Sequence, residues 1–287
     1  MNTVILMWNP EISSFRLVDY ECGMEDFEEL NLNWSVREPH KINIGDRFYM
    51  VRVGKGRTGI VMSGLCLSHP YYGEDWTDRN KIGNYIDLDI HWMFNLDHGP
   101  ILDTYLLAQA IPDFDWTGGH SGRALEPKDA AILEKLWEEH LAKNAAVLTD
   151  PKLVIHSDES LIDYVPAGIS PRAHDQIKGI QLLDQFLGPD TNHLDKAVLR
   201  DLHFDRNNFS IDILIQPYHK DNLLLKFHFT DILDFRWDSP LFDTYLEPSC
   251  IYCQYSYLVT EFANVNITIS SESLEVSLLE VEEKNKN

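Results

Sequence analysis

The sequence has little cysteine and little positive charge, and it lacks any long hydrophobic run. Its 287 residues contain 4 cysteines, too few to predict a disulfide framework in a chain of this length. No apolar run approaches the roughly 20 residues that cross a bilayer, and the first residues lack the basic start and cleavage site of a signal peptide. We therefore expect a cytoplasmic protein with no membrane partner.

Positive charge is scarce and unevenly placed. Lysine and arginine number 24 against 46 aspartates and glutamates, for a net charge of −22. Loose binding to duplex DNA depends on cations that replace counterions, so this composition argues against it and leaves only local contact with nucleic acid. Between residues 41 and 64, however, five basic residues stand against the single acid Asp46: Lys41, Arg47, Arg52, Lys55 and Arg57.

Motifs for metal binding and catalysis are also missing. The histidines do not fall at metal-ligand spacings, and Cys250 and Cys253 have no second pair to complete a zinc site. Asp115, His120 and Ser121 are the residue types of a hydrolase, but adjacent His and Ser cannot easily bring the imidazole onto the hydroxyl. We predict no catalytic residues, no metal and no cofactor, and keep a small hydrolase as an alternative.

The sequence does contain a two-part pattern of secondary structure. Residues 1–148 mix short apolar strands with helices at 101–111 and 126–143. Residues 149–198 carry four prolines and predict a connector with a short helix at 177–187. From 199 to 283, apolar and polar residues alternate, which predicts an antiparallel β-rich domain. The predicted fold class is α+β.

The clearest strand in the first part covers residues 85–92. Ile86, Leu88 and Ile90 fall on one face, while Asp87 and Asp89 fall on the other, which we expect to be solvated. In the helix at 126–143, the expected buried stripe is Leu133, Leu136, Trp137, His140 and Leu141.

The segment Arg52–Ile60, RVGKGRTGI, has glycine and lysine in a pattern that suggests phosphate binding. Its spacing differs from that of a P-loop, and a strand pattern follows it where a P-loop requires a helix. We predict a hairpin whose glycines supply positive φ angles. Its cations either meet a phosphate backbone or only water.

Six of the 7 tryptophans precede residue 150, and three of these lie in polar, loop-like segments: Trp34, Trp76 and Trp116. Such indoles either plug a core edge or form walls for a flat or cationic ligand. Beside Trp116, the paired glycines Gly118 and Gly119 predict a backbone that approaches a ligand closely, with Trp116, His120 or Ser121 in contact with it.

The first part resembles the EVE-like branch of the PUA-like superfamily in the order of its segments. Asn33–Arg37 is similar to the Trp-x-Gly-Val-Arg-Asn segment of that branch, and Ile44–Tyr49 to its Val-Gly-Asp strand start. Thr58–Gly64 and Tyr85–Ile90 resemble its next two strands. The resemblance covers about half of the chain. Two departures are Ser35, where the family has glycine, and Glu38, where it has asparagine.

The resemblance implies a bent β pseudo-barrel with flanking helices that binds RNA or DNA and, in some members, holds a modified base in an aromatic pocket. The residues that it implies are Trp34, Ser35 and Val36 in the pocket, Gly59 and Ser63 along its floor, and Arg57 near phosphate. The second part, through Leu202–Phe209, resembles more faintly small β-rich domains of bacterial immunity-type proteins.

These observations favour a non-enzymatic, two-domain protein whose first domain recognises a base or nucleotide in single-stranded or modified nucleic acid. Its second domain then contacts another protein. The alternatives are an interaction or immunity-like module for a basic partner, since the chain is acidic, and the small hydrolase.

Overall fold

A computed structural model of the chain describes residues 2–157, 160–187, 197–217, 222–237, 244–246 and 249–280. The chain divides into two compact units, Met1–Ser160 and Leu161–Asn287. Each unit has its own hydrophobic core. Both units combine helices with a β-sheet, which confirms the predicted α+β fold class.

The first unit consists of a sheet with three flanking helices. Its strands are β1 (Thr3–Trp8), β2 (Leu32–Val36), β3 (Arg47–Arg52), β4 (Gly59–Cys66), β5 (Tyr71–Asp75), β6 (Asp78–Phe94), β7 (Leu102–Asp103), β8 (Arg123–Ala124) and β9 (Val154–His156). Its helices are α1 (Leu17–Glu25), α2 (Thr104–Ala110) and α3 (Pro127–Lys143). The main strand order is β2-β6-β4-β3-β1-β8, with β5 and β9 also on β6 and β7 on β4. Strands β1 and β3 are parallel, while the other recorded pairs are antiparallel.

Two helices attach to this sheet through aromatic side chains. Tyr20 of α1 is fully buried, stacks on Trp8 at 4.9 Å between ring centroids, and bonds through its hydroxyl to the Val61 and Phe94 carbonyls. Trp137 of α3 packs edge-on against Tyr49. The predicted stripe of α3 is confirmed at its centre, because Leu133 and Trp137 are both buried.

Two local predictions for this unit were wrong. The helix predicted at 101–111 begins only at Thr104, because Leu102–Asp103 pairs with β4 as strand β7 and the Asp103 carboxylate caps the helix by accepting from the Tyr105 amide. Asp89 does not lie on a solvated face. It is 2% exposed and accepts hydrogen bonds from His91 Nε2 at 3.0 Å and Ser160 Oγ at 2.7 Å.

In its described residues, the second unit has an eight-stranded sheet and two helices. Its elements are β10 (Gly168–Ile169), α4 (Pro171–Gln176), α5 (Ile180–Leu187), β11 (Val198–Asp205), β12 (Ser210–Gln216), β13 (Leu223–Trp237), β14 (Thr244–Tyr245), β15 (Ser249–Gln254), β16 (Tyr257–Phe262) and β17 (Ile267–Glu280). The strand order is β10-β15-β16-β17-β13-β12-β11-β14. Its recorded pairs are antiparallel, as predicted, except that β10 lies parallel to β15.

The segment 149–198, predicted to be a connector, is divided between the two units. Strand β9 pairs with β6, whereas β10 joins β15 and α5 contacts β17. Pro171, one of the prolines that suggested a linker, occupies the first turn of α4. Parts of these predictions lie outside the described residues: 158–159, 188–196, 218–221, 238–243, 247–248 and 281–283. No helix in the described part of the chain is long and apolar enough to cross a bilayer.

Candidate functional site

The first unit has a groove of about 1270 Å³ on its surface. Four segments and the single residue Val53 line it; the segments are residues 7–19, residues 31–37 around β2, residues 71–85 of the β5–β6 hairpin, and the loop 117–121. The pairing of β2 with β6 brings the second and third segments together, because Ser35 lies opposite Tyr85. The groove brings together seven of the predicted site residues: Trp34, Ser35, Val36, Trp76, Gly119, His120 and Ser121.

Aromatic side chains form the walls of this groove. Trp34 is only 7% exposed and packs edge-on against Phe15, so it serves as a floor. Trp76, at the tip of the β5–β6 hairpin, is 44% exposed. The Tyr85 hydroxyl fixes that tip, since it accepts from the Trp76 amide at 3.0 Å and donates to the Glu74 carbonyl at 2.7 Å. One indole is thus held beneath the groove and another at its rim.

The loop that closes the groove is held by Arg123. Its guanidinium donates to the carbonyls of Asp115 at 2.8 Å and Gly118 at 2.9 Å, and lies 4.0 Å from the centre of the Phe114 ring. The Asp115 carboxylate accepts from the Thr117 amide and hydroxyl, and these bonds lower its pKa. The loop is therefore fixed before any ligand arrives.

Ser121 joins the loop to the sheet. Its hydroxyl oxygen accepts from Trp34 Nε1 at 2.9 Å and from the Met7 amide at 3.0 Å. The next residue, Gly122, has φ of +81°, and a Cβ there would lie 2.5 Å from the Cβ of Val36. Only glycine lets the loop pass this close over β2.

His120 is oriented by Glu38. His120 Nε2 lies 3.0 Å from Glu38 Oε1, and Lys41 Nζ lies 2.7 Å from Glu38 Oε2. The hydrogen bond from Lys41, followed by that from His120, lowers the pKa of Glu38 to about 2. An ionised Glu38 accepts from Nε2–H and leaves Nδ1 of His120 as the nitrogen open to a ligand.

Glu38→Gln is expected to destabilise the protein by about 1 kcal/mol or less at pH 7, since the bridge lies near the surface. A folded-state pKa below the unfolded value of about 4.5 means that the stabilisation is present above pH 4.5 and is lost as pH falls towards 2. Urea unfolding of both proteins between pH 7 and pH 2 measures this difference. The exposed carboxylate Glu28, as Glu28→Gln, is the control. A difference that persists unchanged at pH 2 would contradict the assignment.

The segment RVGKGRTGI forms the predicted hairpin between β3 and β4, with φ of +90° at Gly54 and +92° at Gly56. Two of its cations make contacts within the chain. Arg57 donates to the carbonyls of Leu96, Asp97 and Gly99, and so holds a turn. Lys55 pairs with Glu11. Arg57 does not line the groove, and its guanidinium bonds to carbonyls of the turn at residues 96–99.

Three further predicted site residues also lie outside the groove. Trp116 is 1% exposed, donates to the Ile111 carbonyl at 3.0 Å and packs on Phe114. Of the two interpretations given for the loop tryptophans, Trp116 therefore fits the one in which the indole fills the edge of the core. Gly59 is buried where β4 begins, opposite Asp103 of β7. Ser63 is fully buried between β3 and β6 and does not reach the groove surface.

The three hydrolase-type residues do not form a catalytic arrangement. Asp115 bonds to Thr117, His120 to Glu38, and Ser121 to two N–H donors. Within the part of the chain that the structure describes, no base accepts the Ser121 proton, so the hydroxyl is not activated as a nucleophile. Among the described residues, no three histidines, cysteines or carboxylates are grouped as a metal site would require.

The sequence did not identify Phe15, Tyr71, Tyr85 and Arg37 as groove residues. A hairpin signal was available in the runs at 71–75 and 82–85, which flank a polar turn and carry glycine at matching positions, Gly73 opposite Gly83. That hairpin would have placed Tyr71 and Tyr85 beside Trp76. Arg37 is exposed and, within the described residues, forms no ion pair.

No protein-family model matches the sequence, and no curated protein matches it. One solved structure matches, a hypothetical protein from Leishmania major, with 11% identity over 48% of this chain and 96% of that protein. The TM-score is 0.33. A likeness of this degree carries no argument about function.

Proposed function

We propose that the first unit is a PUA-like domain of the EVE-like branch that binds a base or nucleotide without catalysing a reaction. The observation that carries this proposal is the groove, where aromatic side chains from separate segments face polar groups on a fixed loop. Such a mixture is typical of sites for flat heteroaromatic ligands. The four segments of the family resemblance also fall in adjacent strands, β2, β3, β4 and β6.

The ligand would stack on the exposed face of Trp76 above the floor formed by Trp34. Stacking of a base on an aromatic side chain contributes about 1 to 3 kcal/mol. Because Arg123 already holds the loop 117–121, its polar groups would meet the ring edge with little further loss of entropy.

Arg37, and not Arg57, would contact the phosphate of the ligand, because Arg37 lines the groove. The other charged residues of the lining are Asp19, Glu74 and Asp75. One cation among three acids gives little counterion release, so binding would depend only weakly on salt and would favour single nucleotides or short single strands over duplexes.

Trp76→Ala is expected to weaken binding of nucleosides and short single-stranded oligonucleotides by roughly tenfold or more, through loss of stacking. The variant should remain folded, since its indole is exposed. Isothermal titration at low salt, with modified and unmodified oligonucleotides, measures the affinity. Trp237→Ala is the matched control, because Trp237 is 48% exposed and belongs to the second unit.

Two results would overturn the proposal. One is the absence of binding tighter than millimolar by the wild-type protein with any of these probes. The other is an equal loss of affinity in Trp76→Ala and Trp237→Ala, which would place the bound ring elsewhere than in the groove.

A second candidate function concerns the second unit, which we propose contacts a basic protein. This proposal is supported by a row of partly exposed aromatic rings. The Phe235 ring lies 6.2 Å from that of Phe204 and 6.1 Å from that of Trp237, measured between ring centroids. Aromatic side chains of this kind are enriched at interfaces, and the chain's charge of −22 favours a basic partner.

Affinity capture with the full chain would test this second function. We expect a basic protein to be retained by the wild type and by Trp76→Ala, and lost from Trp237→Ala. Retention of that protein by Trp237→Ala would remove the aromatic row from consideration.

A further inference from the structure

The hydrogen bonds of Ser121 restrict what its hydroxyl can do in the groove. The Trp34 indole N–H and the Met7 backbone N–H can only donate, so the Ser121 oxygen accepts both bonds. A hydroxyl oxygen has two lone pairs and one proton. Both lone pairs are therefore occupied, and the remaining capacity of Ser121 is to donate.

The proton of this hydroxyl has no acceptor among the described residues of the chain. The bonds of Ser121 Oγ are the two that it accepts, and the Ser121 carbonyl separately accepts from the Arg37 amide. Ser121 is half-buried and belongs to the groove lining. The proton is thus available to a ligand, while an N–H group of a ligand would find no lone pair there.

We propose that Ser121 selects the ligand of this groove by its ring edge, favouring an exocyclic oxygen over an amino group at the ring position that meets the hydroxyl. The preferred class is the oxo bases, such as uracil and hypoxanthine, over their amino counterparts cytosine and adenine. This inference rests on the proposed function. A carbonyl oxygen accepts a hydrogen bond from the Ser121 hydroxyl. An amino group at the same position would place a second donor against this hydroxyl, and a buried donor without an acceptor lowers the binding affinity.

Trp34 has a second role in this scheme besides forming the floor. Its indole N–H occupies one lone pair of Ser121 and so keeps the hydroxyl in its donor state. Phenylalanine at position 34 retains an aromatic ring but has no N–H group. It would release that lone pair, and Ser121 could then accept from an amino group as well as donate.

Matched nucleoside pairs test the inference: uridine against cytidine, and inosine against adenosine, titrated into the full chain. We expect the wild type to bind the oxo member of each pair roughly tenfold more tightly. Ser121→Ala should bring the ratio of affinities close to one. Trp34→Phe should also reduce the ratio, by several-fold, even though both nucleosides bind less tightly.

The ratio separates this inference from the proposed function. Equal or tighter binding of the amino member by the wild type overturns the selection by Ser121 and leaves the base-binding function standing. An unchanged ratio in Trp34→Phe, with both nucleosides bound, overturns the role of the indole. Absence of binding by all four nucleosides removes the function and the inference together. Trp237→Phe, the same change in the second unit, should leave the ratio unaltered.

Discussion

Gly64→Ala is expected to lower the free energy of unfolding of the first unit by about 3 kcal/mol or more. A Cβ on Gly64 would lie 1.9 Å from the Asp89 carbonyl oxygen and 3.0 Å from the His91 amide nitrogen. Both atoms belong to the backbone of β6, so neither can rotate away as a side chain can. The strands β4 and β6 would have to separate where their register shifts beside Ser63.

Urea unfolding followed by tryptophan fluorescence measures this loss, because six of the 7 tryptophans lie in the first unit. Gly118→Ala is the matched control. The nearest atom to a Cβ on Gly118 is Asp115 Oδ2 at 3.5 Å, an ordinary contact, so we expect a change within about 0.5 kcal/mol. A loss below about 1 kcal/mol for Gly64→Ala would show that the two strands yield at this position.

Trp116→Ala is expected to cost about 3 to 5 kcal/mol of stability, the usual range for a large aromatic side chain removed from a core. The indole is 1% exposed, and its N–H group bonds to the Ile111 carbonyl, which the substitution leaves without that donor. Because Trp116 does not line the groove, the folded fraction of the variant should bind nucleosides with unchanged affinity.

The test compares this variant with Trp76→Ala in both measurements. Trp116→Ala should lose stability and keep affinity, whereas Trp76→Ala should lose affinity and keep stability. Affinity is measured below the unfolding transition of the variant and corrected for the folded fraction. A large loss of affinity by the folded Trp116→Ala protein would contradict this prediction and show that Trp116 contributes to binding.

The elements of the fold that the sequence predicted correctly are those with local causes. Positive φ angles at Gly54 and Gly56 turn the β3–β4 hairpin, and alternating apolar residues dictate the strands of the second unit. The position of Asp89 could not be predicted in this way. Period-two alternation assigns Asp89 to the polar face, but Ser160, far along the chain, covers it.

The candidate site was predictable to the extent that its residues lie in one segment. The loop around Ser121 and the strand around Trp34 were identified separately, and their contact depends on tertiary pairing. The contacts of Arg57 could not be predicted for the same reason, since the carbonyls that it binds lie about 40 residues away. The polar neighbours of Trp116 suggested exposure, but a loop sequence does not determine which of its side chains turns inward.

The Tyr85 side chain also determines the shape of the hairpin that carries Trp76. Gly73 and Gly83 face each other across β5 and β6, and a Cβ on either would lie within about 3.2 Å of the Tyr85 ring. The glycine pair has no side chains, so the Tyr85 ring fills the space beside it. The Tyr85 hydroxyl bonds to the backbone of Glu74 and Trp76, nearer the tip of the hairpin. The Tyr85 side chain thus supports the hairpin at the position where the two strands have only glycine. Because Tyr85 also lines the groove, we expect the width of the groove beside this hairpin to depend on its side chain.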